Sequence, residues 1–256
     1  MNNTDTTQQF LDSLPEIEPD TSFAFGCHPE VPCFNACCSD LHLMLTPFDV
    51  LRLRRFLKES SNDFIKNRAD VHLAPDTGLP LFRLRMCDDS RKSCPFVRKE
   101  GCSIYPDRPG ACRTYPLGRA TRTDKEGNVL ERFFLVREAH CRGFEQTTQW
   151  TPAQWLKDQG LEAYNTNNDR FMLLLARIKE TGHPVDPRHS NMAALALYQL
   201  DNFAQFLSDT KLLERLEMDD TRKEAIAQDE EARLEFAIEW LELIMFGDGK
   251  TLRPKS

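Results

Sequence analysis

Four cysteines fall within twelve residues, at Cys27, Cys33, Cys37 and Cys38, and the last two are adjacent. Four more follow at Cys87, Cys94, Cys102 and Cys112, with a ninth at Cys141, and the remaining 115 residues carry none. Nine thiols confined to just over half of a chain read as a ligand set. An odd count cannot be fully paired, and 256 residues bury a core without disulfide staples. The start, M-N-N-T-D-T-T-Q-Q-F, has no basic or apolar block, and no apolar run approaches the roughly 20 residues that span a bilayer. The expectation is a soluble, cytoplasmic protein with no membrane partner. In a reducing compartment, spaced cysteines read as metal ligands or redox centres.

Thiolates are soft ligands suited to zinc, copper(I) and iron–sulfur clusters. One tetrahedral zinc takes four nitrogen or sulfur ligands, and a [2Fe–2S] or [4Fe–4S] cluster usually takes four cysteines. Nine cysteines exceed one such site, so two sites, or one polynuclear site with spare thiols, use them better. Neighbouring side chains diverge in a strand or a helix, which makes it awkward for Cys37 and Cys38 to ligate one ion. All nine cysteines are candidate metal ligands. An iron–sulfur cluster or iron is favoured slightly over zinc. His28 and His140 lie beside cysteines and are further candidates, although a lone histidine is more often a hydrogen-bonded structural residue.

The net charge is −7. Through residue 146 there are 20 basic and 21 acidic side chains, leaving 13 and 19 in the rest. This is not the footprint of a nucleic-acid binder, and no nucleic-acid partner is expected. The run Arg52, Arg54, Arg55 reads as a solvated helix face.

The patterning predicts an α+β chain: an irregular, loop-rich cysteine-cluster domain with short strands and helices, followed by a mainly α-helical C-terminal region. The expected division is a polar arm over 1–20, the metal-binding domain over 21–146, a helical domain over 147–249 and a tail over 250–256. The arm is expected to lack regular structure and to pack through Phe10, Leu11 and Leu14. Thr46, Pro47 and Asp49 form a helix start with a capping box, and Phe48, Leu51, Leu53 and Phe56 supply the apolar face. A second helix is expected from Ser60 or Ser61 to about Val71. Alternation of Phe82, Leu84 and Met86 with Arg83, Arg85 and Cys87 predicts a strand. Asp124 to Asn128 reads as a hairpin turn returning a strand towards His140 and Cys141. Beyond Phe144, helices are predicted from Thr151–Pro152 to Gly160, over 161–181, over about 188–207, and from about Thr221 to Phe246 with Phe236, Trp240, Leu243 and Ile244 on its stripe. The run Met172 to Leu175 reads as core. The helical part is a candidate surface for a protein partner.

In the second cysteine group, Asp107 and Pro109 suggest a short helix start near Cys112, whose positive end would favour a thiolate. Arg108 and Arg113 flank the same cysteine. They either offset thiolate charge or pair with Asp107 or Glu100 at the surface. Tyr105 and Tyr115 read as packing that shields the site.

The segment from Phe25 to Phe144 resembles the YkgJ-type CxxCxxCC cysteine-cluster family. The pieces that carry the likeness are C-F-N-A-C-C with L-T-P-F-D-V-L-R-L, then C-P-F-V with G-C-S-I-Y-P-D-R-P-G-A-C-R-T-Y-P-L-G, and H-C-R-G-F. The first group departs from the short form of the motif, with five residues between Cys27 and Cys33 and three between Cys33 and Cys37. The resemblance implies bound zinc or iron, often an iron–sulfur cluster, with no settled activity. It points most firmly to Cys33, Cys37, Cys38, Cys94, Cys102 and Cys112. Flagellin lysine methylases look similar at the cysteine motif, so a cluster-dependent oxidoreductase or lysine methylase-like enzyme is one alternative, and a thiol redox sensor another. No G-x-x-x-x-G-K-[ST], H-E-x-x-H or G-x-S-x-G motif is present, and no catalytic residue is assigned.

Overall fold

A computed structural model of the chain describes residues 14–123, 129–247 and 251–255. Phe10, Leu11 and the Asp124 to Asn128 turn therefore lie outside the described residues. The fold is α+β, with short antiparallel strands and a helical C-terminal part. It divides into two compact units, each made of two chain segments: residues 1–41 with 86–165, and residues 42–85 with 166–256. All nine cysteines belong to the first unit.

The first unit has three small sheets. Strand β1 (Glu16–Ile17) pairs with β9 (Val129–Leu135), which pairs in turn with β8 (Leu117–Thr123). The arm thus has regular structure at its end: the backbone of Glu16 and Ile17 is satisfied by the β9 edge opposite Phe134 and Phe133. Strand β2 (Phe23–Ala24) pairs with β10 (Gln149–Trp150), and β6 (Val97–Arg98) with β7 (Gly101–Cys102). The core holds Ile17, Phe23, Phe25, Leu117, Phe133 and Trp155. The Phe25 ring meets Phe144, Trp155 and Tyr115 edge-on at centroid distances of 5.3, 5.4 and 5.8 Å. Both indole N–H groups here are satisfied, Trp150 donating to Phe25 O (2.9 Å) and Trp155 to Thr114 O (3.0 Å).

In the second unit, α1 (Pro47–Leu57) starts at the Thr46 cap with the full capping box to Asp49, and α2 (Ser61–Arg68) starts at Ser60. Burial on α1 is confined to Pro47 through Leu53, and Phe56 in its last turn is 41% exposed. The second helix stops at Arg68 rather than near Val71. Residues Ala69–Leu73 instead form β4, whose backbone pairs along β5 (Pro80–Leu84), while β3 (Met44–Leu45) lies on the other side of β5. The β-branched Val71 opposite Phe82 suits this pairing.

The C-terminal helices are shorter than the sequence predicts. The region 188–207 is two helices, α6 (Pro187–Tyr198) and α7 (Leu200–Thr210), broken at Gln199. The last long helix is also two, α8 (Asp220–Gln228) and α9 (Glu230–Phe246). The break is Asp229, whose carboxylate caps α9 by accepting from Glu231 N and Ala232 N. Phe236 and Trp240 are buried, whereas Leu243 and Ile244 are half-buried. Two further helices, α3 (Gly110–Thr114) and α4 (Pro152–Asp158), belong to the first unit, and α5 spans Glu162–Glu180. On α5 the 3.6-residue period buries Phe171, Leu174 and Ile178 and leaves Met172 50% exposed and Leu173 40% exposed, so the Met172 to Leu175 run is only partly core.

The arginines of α1 are not a purely solvated face. Arg54 pairs with Glu230 with its side chain only 11% exposed, and Arg55 meets Asp229, Glu230 and Glu231 at 2.9–3.1 Å. A basic last turn thereby faces the acidic first turn of α9, each charge also suiting its own helix end. Among the described residues, no helix is long and apolar enough to cross a membrane.

Candidate metal centre

Backbone bonding within the first unit brings its two chain segments side by side. Ser39 and Ser93 form an antiparallel bridge, Cys94 N–H donates to Cys38 O (2.9 Å), and Asp40 N–H donates to Lys92 O (2.9 Å). Cys38 and Cys94 are therefore neighbours. Cys87 N–H donates to Ser93 O (2.8 Å), which folds the 87–94 loop back on itself. The β6–β7 hairpin then carries the chain from Cys94 to Cys102. Its turn residue Gly101 has φ +125°, and a Cβ there would stand 3.2 Å from the Phe34 ring, which explains the glycine. Asn35, in the left-handed region at φ 67°, reaches across to the carbonyls of Arg98 (2.9 Å) and Lys99 (3.4 Å). On the other side, Arg142 N–H donates to Cys33 Sγ (3.0 Å), tying the Cys141 segment to the first group.

All nine cysteines are free thiols, with Cys27, Cys37 and Cys87 exposed and the rest half-buried. They lie close enough to affect one another's ionisation. Desolvation, then Cys37, Cys33 and Cys141, push the Cys27 thiol up to about 11. Cys38 is raised by its hydrogen bond to Cys37 and by desolvation, with Cys94 and Cys112 adding to it. Cys94 is raised by desolvation, and Cys102 and Cys87 contribute. These influences connect every cysteine, with the adjacent pair as the junction. Cys37 moves the other way: the hydrogen bond from Cys38 holds it down to about 6, aided by His140 and opposed by Glu138. Within the pair, the hydrogen bond favours the thiolate on Cys37 and disfavours it on Cys38. The thiolate is the nucleophile. In metal-free, reduced protein Cys37 is accordingly expected to alkylate first at neutral pH, at a rate that falls as pH drops through about 6. Adduct mapping by mass spectrometry after brief iodoacetamide treatment checks this.

His28 contacts Gln146 Oε1 (3.3 Å) and Glu30 (3.8 Å), and His140 is placed to act on Cys37. Tyr105 is 54% exposed, with Arg108 over its ring at 3.7 Å. Tyr115 packs edge-on against Phe25, but its hydroxyl is buried without a hydrogen-bond partner by ordinary geometry and lies beside Cys141 and Cys37. Burial and Cys141 push its pKa up. Helix α3 begins after Pro109 and is five residues long, too short to sum the dipole expected at Cys112. Arg108 lies within electrostatic reach of Cys112. Neither Arg108 nor Arg113 is at the surface: each is 8% exposed.

Among the described residues, no three His, Cys, Asp or Glu side chains are gathered tightly enough to hold an ion as they stand. The donor chemistry nonetheless fits a soft metal. The thiols are free, and the buried Tyr115 hydroxyl has Cys141 as its thiol neighbour. Closing a coordination shell requires thiol side chains to turn towards one another, as in proteins where metal binding completes the fold.

Residues 26–152, about half of the chain, match the model of the CxxCxxCC family, described as "Putative zinc- or iron-chelating domain". The chain belongs to this family. Zinc or iron is thus the metal partner that CxxCxxCC membership supports, and the matched span contains all nine cysteines. No curated protein and no solved structure matches the chain. Within the CxxCxxCC span, three features that spacing does not reveal support the thiols: the Arg142 amide, the Asn35 brace and the Tyr115 hydroxyl. Only Asn35 leaves a sequence signal, since asparagine tolerates positive φ between two cysteines.

Proposed function

We propose that the first unit is a metal-binding domain whose thiolates hold iron as an iron–sulfur cluster, with zinc as the alternative occupant. The observation that carries this reading is the collection of all nine cysteines, free and within mutual electrostatic influence, into one unit from two distant segments. The ligands are drawn from Cys27, Cys33, Cys37, Cys38, Cys87, Cys94, Cys102, Cys112 and Cys141. An all-sulfur donor set favours iron–sulfur chemistry, and zinc accepts the same ligands. A bound cluster would supply one-electron redox chemistry, and zinc would supply a structural tie. The chain's own part is to desolvate the thiols, bring Cys38 beside Cys94, and donate the Arg142 amide to Cys33.

Anaerobic purification followed by metal and sulfide analysis tests the reading. The expected product is brown, with iron and acid-labile sulfide in near-equal amounts. Colourless protein loaded with zinc replaces the cluster by a zinc site. Protein that takes up neither metal rejects the proposal.

A further inference from the structure

Strand β4 is the outer strand of its sheet, whose order is β3, β5, β4. Its register fixes which backbone groups look inward. Arg85 N–H donates to Arg68 O (2.8 Å) and Ala74 N–H to Leu79 O (2.9 Å), so even-numbered residues form the hydrogen-bonded pairs with β5. Ala69, Val71 and Leu73 therefore turn their N–H and C=O groups to the open side. Ala69 is already taken: its N–H donates to Ile65 O, and its carbonyl accepts from Arg85 Nη2 at 2.6 Å. No described residue bonds to the outward groups of Val71 and Leu73. The side chains follow the same pattern. Val71 lies opposite Phe82, which is buried and stacked on Tyr198 at 3.9 Å, so the odd-numbered face of β4 is the core face. Yet Val71 is 46% exposed and Leu73 67% exposed. The core face thus runs uncovered to the sheet edge. Edges are ordinarily protected by lysine, proline or a bulge, and Ala69–Leu73 has none of these.

We propose that β4 is a strand-addition site for a second copy of this chain, joined antiparallel about a twofold axis at His72. In that register Val71 of each copy lies opposite Leu73 of the other, and every open N–H at these positions meets an open C=O. Pairing centred on Val71 instead would set Leu73 against Ala69, whose groups are spent. The opening is short at both ends, since Ala74, beyond Leu73, turns inward to Leu79. A copy of the same edge has an opening of the same length, with its blocked ends where the first copy's are. On the core face, Val71 and Leu73 pack across the seam at both ends. On the other face the two His72 rings stand side by side, each with the other copy's Asp70 carboxylate diagonal to it, an acceptor for an imidazole N–H. A ladder this short buries less than the roughly 800 Å² per partner of a standard interface, so the dimer is weak and exchanges quickly. The edge belongs to the unit that carries no cysteine, so the metal-binding reading is not needed for it.

Sedimentation velocity on the full-length chain, with reductant present and over a rising concentration series, reads the association for the parent, V71T, V71P and L73K. The parent is expected to pass from monomer to dimer with a dissociation constant of about 10–1000 µM, the range of small transient contacts. V71P deletes only an outward N–H and leaves the ladder to β5 intact, and the twofold axis makes it delete a bond on each side. Its dimer is expected to be about tenfold or more weaker. L73K, which puts a lysine on the edge, is expected to stay monomeric. V71T keeps the N–H and is expected to associate within about threefold of the parent. Amide exchange followed by NMR should show Val71 and Leu73 slowing as the parent is concentrated, while Asp70 and His72, already bonded to β5, do not change. A parent that stays monomeric at about 1 mM overturns the proposal and leaves the edge to solvent or to a strand of another protein. So does a dimer that V71P and L73K leave unchanged, or one in which Val71 and Leu73 exchange as fast as in the monomer. If circular dichroism shows V71P misfolded, L73K decides alone: monomer supports the proposal, and dimer as tight as the parent's overturns it.

Discussion

Gly143→Ala is expected to destabilise the cysteine-bearing unit by about 3 kcal/mol, the upper end of what overpacking costs. A Cβ at Gly143 would stand 2.5 Å from Phe25 Cε2 and 2.9 Å from the carbonyl oxygen of Gly26. Neither neighbour can easily yield. The Phe25 ring is boxed by Phe144, Trp155 and Tyr115, and the Gly26 backbone is tied to Gly143 itself through its N–H to Gly143 O at 3.0 Å. Gly143 follows Cys141 by two residues and Gly26 precedes Cys27 by one, so the strain falls where two thiol-bearing segments meet. The same change should weaken the Arg142 amide's bond to Cys33. Hydrogen exchange measured by mass spectrometry on the metal-free protein reads the two units separately. Loss of protection over 23–27 and 141–150, with the helices of the second unit unchanged, is the expected pattern. A stability change within about 0.5 kcal/mol, the range of neutral surface substitutions, would show that the close approach is not tight.

The second large effect is expected in the other unit. Arg233 lies on α9, is only 5% exposed, and donates to three carbonyls: Ile226 O at 2.9 Å, Leu200 O at 3.3 Å and Ala227 O. It thereby satisfies Ile226 and Ala227 at the end of α8, carbonyls that a helix C-terminus leaves without intrahelical partners, and ties them to the Leu200 carbonyl at the start of α7. Burial lowers its pKa, and Asp229 and Asp201 act in the opposite direction. Arg233→Ala removes the donors and leaves the buried Ile226 carbonyl unpaired, at about 1–3 kcal/mol for a group that water cannot reach. The total expected loss is about 3 kcal/mol, the upper end of that range, with faster exchange in α8 and the first turns of α9. Arg233→Lys, with one point of donation, should fall between. An alanine variant as protected as the parent would mean that other groups take over the three carbonyls.

What was legible in the sequence was local. The Thr46–Pro47–Asp49 and Thr151–Pro152 starts are read from a few consecutive residues and form as the sequence predicts, and of the two expected starts Ser60 and Ser61 the cap is Ser60. The α+β character and the family likeness followed from motif spacing in the same way. Asp229 shows a local signal that could have been read: an aspartate followed by two glutamates is a cap with an acidic first turn, so the break before α9 was available in D-E-E. Residues 69–73 were not so available, because strand or helix there is decided by pairing with β5, 7 to 15 residues further along the chain. The interior positions of Arg108, Arg113 and Arg233 were hidden for the same reason. An arginine is stable inside only where acceptors meet it, and here they combine carbonyls a few residues upstream with Gln159 and Leu200 from distant segments, a combination that no local motif announces.

The bridge between Ser39 and Ser93 also sets an order of events during synthesis. Cys27 to Cys38 leave the ribosome first, but the partners that adjoin them start about 50 residues later at Cys87 and finish at Cys141. At about 5–20 residues per second, the first four thiols wait roughly 5–20 s for the last of the nine. During that interval they face the cell as an exposed, half-made set, open to oxidation or to the wrong ion. On the metal-binding reading proposed above, a centre that draws on both segments fills only on the completed fold, so depletion of reductant should lose the newly made protein before the mature one.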